Sequence, residues 1–232
     1  MKRRLRFFVI TIALILFSNV NFSQTLDLLS LDYFEAYTGA GAITNNGEMT
    51  GDAATNNGII SGLGFGLGYT GTIFENDATT VQARIDLLRV YIHLSDVFVT
   101  YPGSHAPTFG ASETLFSGVY STPLAGSLSG TITLDGQGDP EAYFIFKFDG
   151  AFTVGVGTEI ILTGGTRAAN VFWISEGAIS IGANSQLEGT LISHPGALSL
   201  GLNCTLEGRL LSSEGAITIG AGSTVIMPQG DS

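Results

Sequence analysis

The residues best placed for chemistry in this chain are four hydroxyls held at one spacing. Thr153, Ser180, Ser199 and Thr218 each occupy the fourth position of a Gly-Ala-x-Ser/Thr-x-Gly segment, at 150–155, 177–182, 196–201 and 215–220. The last three segments repeat every 19 residues, and the first precedes them by 27, one period plus an insertion of eight. Such a series suits a regular hydrogen-bonding array, not a reacting centre. No Gly-x-Ser-x-Gly elbow occurs, so no hydroxyl sits on the strained turn of a hydrolase nucleophile. His93, His105 and His194 are isolated and form no His-x-x-x-His pair. Residues 66–71 formally match a dinucleotide fingerprint but lack its strand–turn–helix context. The acidic turn at 135–139 lacks the ligand spacing of a known Ca2+ loop and reads as a turn closed by Pro140. Glu159, Glu188 and Glu207 invite stacking as a carboxylate column, where like charge would splay them into solvent. No catalytic residue, metal or cofactor is expected.

These hydroxyls need strands to hold them. In each segment the third and fifth residues are apolar: Phe152/Val154, Ile179/Ile181, Leu198/Leu200 and Ile217/Ile219. Alternation of this kind points them inward and the hydroxyl between them outward. A period near 20 residues with glycine corners is the mark of a stacked solenoid. Each inward Ile or Leu then contributes about 1.5–3 kcal/mol by burial. The outward hydroxyls recur at the interstrand spacing of roughly 4.8 Å. A second match, Gln186-Leu187-Glu188-Gly189 against Thr205-Leu206-Glu207-Gly208, extends the repeat beyond the segment. The stretch 38–71, with its Asn-Gly pairs and short apolar pieces, reads as irregular first coils. The apolar run 142–148 alternates little, as a strand covered on both faces does. One helix is expected, over about 77–97, capped by Asn76 or Asp77. Its stripe of Val81, Ile85, Leu88 and Ile92 is expected to pack against a sheet.

The 232 residues contain 32 glycines and a single cysteine, so no intrachain disulfide can form and a zinc site built on several thiolates is excluded. Cys204 takes the place of Ser185 and Ser223 in neighbouring repeats and is expected to be a small buried side chain. Lys2, Arg3, Arg4 and Arg6 precede an 11-residue apolar run at 7–17, too short to span a bilayer, which reads as a secretory signal over 1–24. Its removal takes the net charge from -11 to -15 and leaves one domain at 25–232. So acidic a surface repels phosphate backbones and anionic lipid, so neither nucleic acid nor membrane is an expected partner.

The chain resembles the microbial ice-binding (antifreeze) proteins. The resemblance is carried by 42–45 with 50–52, the helix around Asp86, Leu87 and Tyr91, and Leu115-Phe116-Ser117-Gly118-Val119-Tyr120. Its most specific block is Leu128-x-Gly130-Thr131-Ile132-Thr133-Leu134-Asp135-x-x-Gly138-Asp139-Pro140-x-Ala142-x-Phe144-Ile145-Phe146, extended by 170–173 and 208–211. It covers about 31–226. It implies a mainly β fold, a right-handed discontinuous β-solenoid of triangular section with one long α-helix alongside, acting as a secreted monomer on an ice surface. Family members often carry Thr-Ala/Gly-x-Thr/Asn motifs. The matching positions are 156–159, 183–186, 202–205 and 221–224, where the first Thr is absent from all four and the last is Thr in two. The resemblance makes Thr153, Ser180, Ser199, Thr218, Gln186, Thr205 and Thr224 the candidate ice-binding residues. The alternative is an adhesion module on the same scaffold that does not bind ice.

Overall fold

The computed structural model describes residues 26–62, 69–102 and 105–228; the expected signal segment and the first half of the 66–71 fingerprint lie outside them. The apolar alternation does produce short strands. Ile179–Ile181, Leu198–Leu200 and Ile217–Ile219 bury their first and third residues and turn the middle one outward. The strands lie parallel in two sheets, one of fourteen and one of eight. The larger sheet covers two sides of the stack. Gln186–Ser193 and Thr205–Ser212 bend from one side to the other at Gly189 and Gly208, which lie in register. With the eight-stranded sheet this makes three faces of a β-solenoid.

The stacking order departs from chain order. Phe34–Thr38 pairs with Thr205–Ser212, and Asp52–Thr55 then pairs with Phe34–Thr38, so the N-terminal coils cap the end of the C-terminal repeats. The helix, Ala78–Asp96, carries the chain back from this end to the other. At 1.5 Å per residue it is about 28 Å long, the height of roughly six rungs. The core tapers along the same axis. Tyr120, Phe146, Trp173, Leu191, Leu210, Ala36 and Ala53 form one buried column in register. At the wide end the rings stack, Phe146 on Trp173 at 3.9 Å. Stacked pairs add about 0.5–1.5 kcal/mol beyond their burial. Phe144–Phe148 is buried along its whole length, with the core inside and the helix side outside, as its weak alternation implied.

The helix faces the opposite way from the expected orientation. Val81, Ile85, Leu88 and Ile92 are 44–51% exposed, while Thr80, Ala83, Asp86, Leu87, Val90 and Leu94 are buried. Polar anchors at both ends fix this rotation. Asp77 and Thr80 form a capping box, and the buried Thr80 carbonyl accepts from the Tyr37 hydroxyl of the sheet at 2.9 Å. At the C-terminal end the Lys147 ammonium donates to Ser95 O at 2.7 Å and Val97 O at 2.6 Å. Burial pulls the Lys147 pKa down, while Asp96 and Asp149 oppose the shift. Asp86 is likewise disfavoured by burial, but Ser30, Gln82 and Arg89 outweigh it and hold its pKa below the ordinary carboxylate value. Small Thr80 and Ala83 admit the helix close to Tyr37, Ile145, Phe172 and Leu211, which share its cluster. Periodicity alone scored Thr80 and Asp86 as polar and therefore chose the other stripe.

This orientation is testable by paired truncations. Leu87→Ala is expected to cost about 2–5 kcal/mol and Leu88→Ala within about 0.5 kcal/mol, measured by urea denaturation. Equal costs would contradict the placement.

Candidate functional site

The three faces differ in what they offer. The helix covers much of the first. The third, built from strands such as Thr131–Asp135, Glu159–Thr163 and Thr224–Ile226, carries two outward columns. One runs Thr131, Glu159, Gln186, Thr205, Thr224 and Glu48. The other includes Thr133, Ile161 and the register pair Glu188–Glu207. Gln186, Thr205 and Thr224 therefore share a face with at least four carboxylates. The expected column of three glutamates resolves into a pair, since Glu159 lies in register with Gln186 instead. Burial, and then the charge of Glu207, push the Glu188 pKa up to about 7.

The eight-stranded sheet is different in kind. Its order brings Thr108, Ser127, Thr153, Ser180, Ser199, Thr218, Thr44 and Ser61 into one unbroken outward column. Every rung contributes a hydroxyl. Eight rungs span about 34 Å at the usual interstrand spacing. Ser127 and Thr108, and Ser61 and Thr44, are the hydroxyl pairs within hydrogen-bonding distance of each other, at 3.3 and 3.4 Å. The central hydroxyls point to solvent.

A second column runs beside the first. Two residues before each hydroxyl stand Ala106, Ala125, Ala151, Ala178, Ala197, Ala216, Ala42 and Ile59. Backbone bonds confirm the register: Phe152 N to Ala178 O, Ile179 N to Ala197 O, Leu198 N to Ala216 O and Ile217 N to Ala42 O. The face thus alternates methyls and hydroxyls about 6.7 Å apart along each strand. Neither column contains a charged residue. Acids stand at its margin, where Asp149, Glu176 and Glu214 each precede the glycine that lies two residues before a strand.

The corner toward the third face explains the four-residue motifs. Their second positions, Gly157, Asn184, Asn203 and Gly222, all adopt a left-handed backbone with φ between 54° and 72°. Gly and Asn tolerate that conformation. Their third positions, Thr158, Ser185, Cys204 and Ser223, are buried, Cys204 among them as expected. Two of the four motif positions therefore answer to the turn, and the outward fourth belongs to the acidic face.

Four of the seven candidates, Thr153, Ser180, Ser199 and Thr218, thus lie together on the eight-stranded sheet, and Gln186, Thr205 and Thr224 lie on another. Sequence reading missed Thr108, Ser127, Thr44 and Ser61 as members of the ladder. The signals were present: Thr108 precedes Ser127 by 19 residues, and 41–44 repeats the Gly-Ala-Ile-Thr of 215–218. The alanine column was visible as the second position of every segment.

The acidic face makes a pH prediction. A carboxyl whose folded pKa is raised disfavours the folded state once it ionises, so the contribution of Glu188 to stability is most favourable below about pH 4.5 and is lost as pH rises towards about 7. Glu188→Gln removes this loss. It is expected to raise stability at pH 8 by on the order of 1 kcal/mol after allowance for solvent screening, and to change little at pH 4. Thermal melts at both pH values check it; equal effects at both would refute it.

Comparison with known proteins places this geometry. A sequence profile described as ice-binding-like matches residues 36–225. An ice-binding protein of Nostoc sp. (strain HG1) is 30% identical over 166 residues, covering 66% of this chain and 61% of its own length. One from Flavobacterium frigoris (strain PS1) is 30% identical over 188 residues, covering 73% of this chain and 67% of its own. The crystal structure of an ice-binding protein from an Antarctic bacterium of the Flavobacteriaceae superposes with a TM-score of 0.84 at 37% identity, over 90% of this chain and 48% of the other. That from the ascomycete Antarctomyces psychrotrophicus gives 0.80 at 31% identity, over 88% and 99%. The chain thus spans 61% of the Nostoc relative and about half of the Flavobacteriaceae structure.

Proposed function

The chain belongs to the ice-binding-like family, and we propose that it binds ice through its eight-stranded sheet, depressing the freezing point non-colligatively and inhibiting recrystallisation. One observation carries the choice of face: two parallel columns, one of Ala with Ile59 at its last rung and one of Ser/Thr, continue over the rungs with no charge among them. Hydroxyls at fixed spacing give water directional partners. The methyls between them order water without offering it stronger competing bonds. A carboxylate within the array would hold its own hydration shell against the lattice, which disfavours the third face with Glu48, Glu159, Glu188 and Glu207. Water arranged over the sheet in an ice-like layer then merges with the crystal.

The reading is of a non-enzymatic protein. Among the described residues no group of three or more His, Cys, Asp or Glu is arranged to hold a metal. Secretion through the basic and apolar N-terminal segment is part of the proposal. Among the described residues no helix is long and apolar enough to cross a membrane.

The test separates the two faces that carry candidate residues. Ser199→Tyr and Thr218→Tyr place a ring in the middle of the columns and are expected to remove most thermal hysteresis. Thr205→Tyr and Thr224→Tyr, on the acidic face, are expected to retain it. Measurement is by ice-crystal growth in a nanolitre osmometer, with melting temperatures to confirm folding. The opposite pattern would move the site to the third face, and an unmodified protein that leaves ice crystals round would sink the function.

A further inference from the structure

Two buried ladders of hydrogen-bond donors bound the eight-stranded sheet, one at each corner, hydroxyls throughout except for the Cys204 thiol, and neither touches the surface. At the corner with the helix-side face, Ser175, Ser193, Ser212, Thr38 and Thr55 occupy one register column and are all buried. Each donates to a glycine carbonyl of the rung before its own. Ser175 reaches Gly150 at 2.7 Å, Ser193 reaches Gly177 at 2.8 Å and Ser212 reaches Gly196 at 2.8 Å. Thr38 reaches Gly215 at 2.7 Å and Thr55 reaches Gly41 at 2.8 Å. Each of these glycines directly precedes a member of the alanine column. At the other corner, Ser185, Cys204 and Ser223 donate across the rungs to the carbonyls of Gly155, Gly182 and Gly201, at 3.1, 3.2 and 2.7 Å. Those glycines directly follow the strands.

Strand ends are therefore tied rung to rung on both sides of the same sheet. Adjacent strands in an ordinary sheet turn by roughly 20–25° relative to one another, and side-chain ladders are one of the devices that hold a sheet untwisted. Twist would carry successive Ala and Ser/Thr pairs out of a common plane, and a crystal face meets only what is coplanar. We propose that the hydroxyls of both ladders are positioning residues for ice adsorption: they hold the outer columns flat, so affinity for ice depends on side chains that never contact it. This rests on the eight-stranded sheet being the ice-binding face.

The test removes one hydroxyl at each corner. The double variant Ser185→Ala/Ser193→Ala is compared with Ser185→Thr/Ser193→Thr, which keeps both hydroxyls. Threonine fits these columns, since Thr158 holds the position equivalent to Ser185, and Thr38 and Thr55 stand in the column of Ser193. Leu87→Ala, destabilised in the helix, serves as the control for stability alone. At temperatures where all are folded, the alanine pair is expected to lose thermal hysteresis several-fold and to exchange its amides faster in 177–182 and 196–201. The threonine pair and Leu87→Ala are expected to retain hysteresis. Full hysteresis in the alanine pair overturns the proposal, as does an equal loss in the threonine pair or in Leu87→Ala. Full hysteresis in Thr218→Tyr overturns the reading of the face and this proposal with it, so the variant that stays active tells the two failures apart.

Discussion

The structure depends on successive rungs lying directly above one another at a single strand spacing. Three-residue strands cannot do this alone, because each has few ladder bonds and the chain must turn sharply at both ends. The corners supply the constraint. A Cβ on Gly196 would come within 2.6 Å of the backbone nitrogen of Ala178, so only glycine lets adjacent rungs approach so closely there. At the next corner the left-handed turn at Gly157, Asn184, Asn203 and Gly222 is met in every repeat. Because each corner repeats, the residue that follows it always lands on the same side. A column of like residues is therefore the natural product of a repeated corner.

The same stacking explains why the chain is threaded discontinuously. A solenoid has two open ends with unpaired backbone groups and exposed core. Here the N-terminal coils, with alanines where the opposite end of the stack has aromatic rings, taper the core at one end. The helix must then return the chain across the height of the stack, and its length suits that distance. Tyr37 below Thr80 and Lys147 at the last carbonyls fix its rotation by hydrogen bonds. The number of apolar residues on each face does not decide it. The stripe left outward is long and aliphatic, which shows how fully buried polar anchoring can override amphipathic pattern.

Much of the fold was legible because the repeat is close to exact in its last third, where the corner, the inward pair and the outward hydroxyl recur at one interval. Ladder membership was less legible. Thr44 belongs to a coil at the start of the chain and stacks on Thr218 from its end, a pairing across the discontinuity that no interval encodes. Gln186, Thr205 and Thr224 sit a few residues beyond the ladder hydroxyls in sequence, yet a left-handed corner turns them onto a different face. The helix orientation was not legible, since two stripes fit the same period and only tertiary hydrogen bonds choose between them.

Charge is partitioned over this scaffold in a way the net value conceals. The chain carries 20 acidic residues, and an acidic surface favours solubility. In the array proposed to template water such carboxylates would be out of place, because each organises its own hydration. The triangular section resolves the conflict by geometry. Glu48, Glu159, Glu188 and Glu207 gather on the third face, and Asp149, Glu176 and Glu214 stand at the margin of the eight-stranded sheet. The methyl and hydroxyl columns stay free of charge along the rungs. Crowding the acids has its own cost, visible in Glu188, whose burial beside Glu207 raises its pKa to about 7. A carboxyl pushed to titrate near neutrality on one face is thus the counterpart of an uncharged surface on the next.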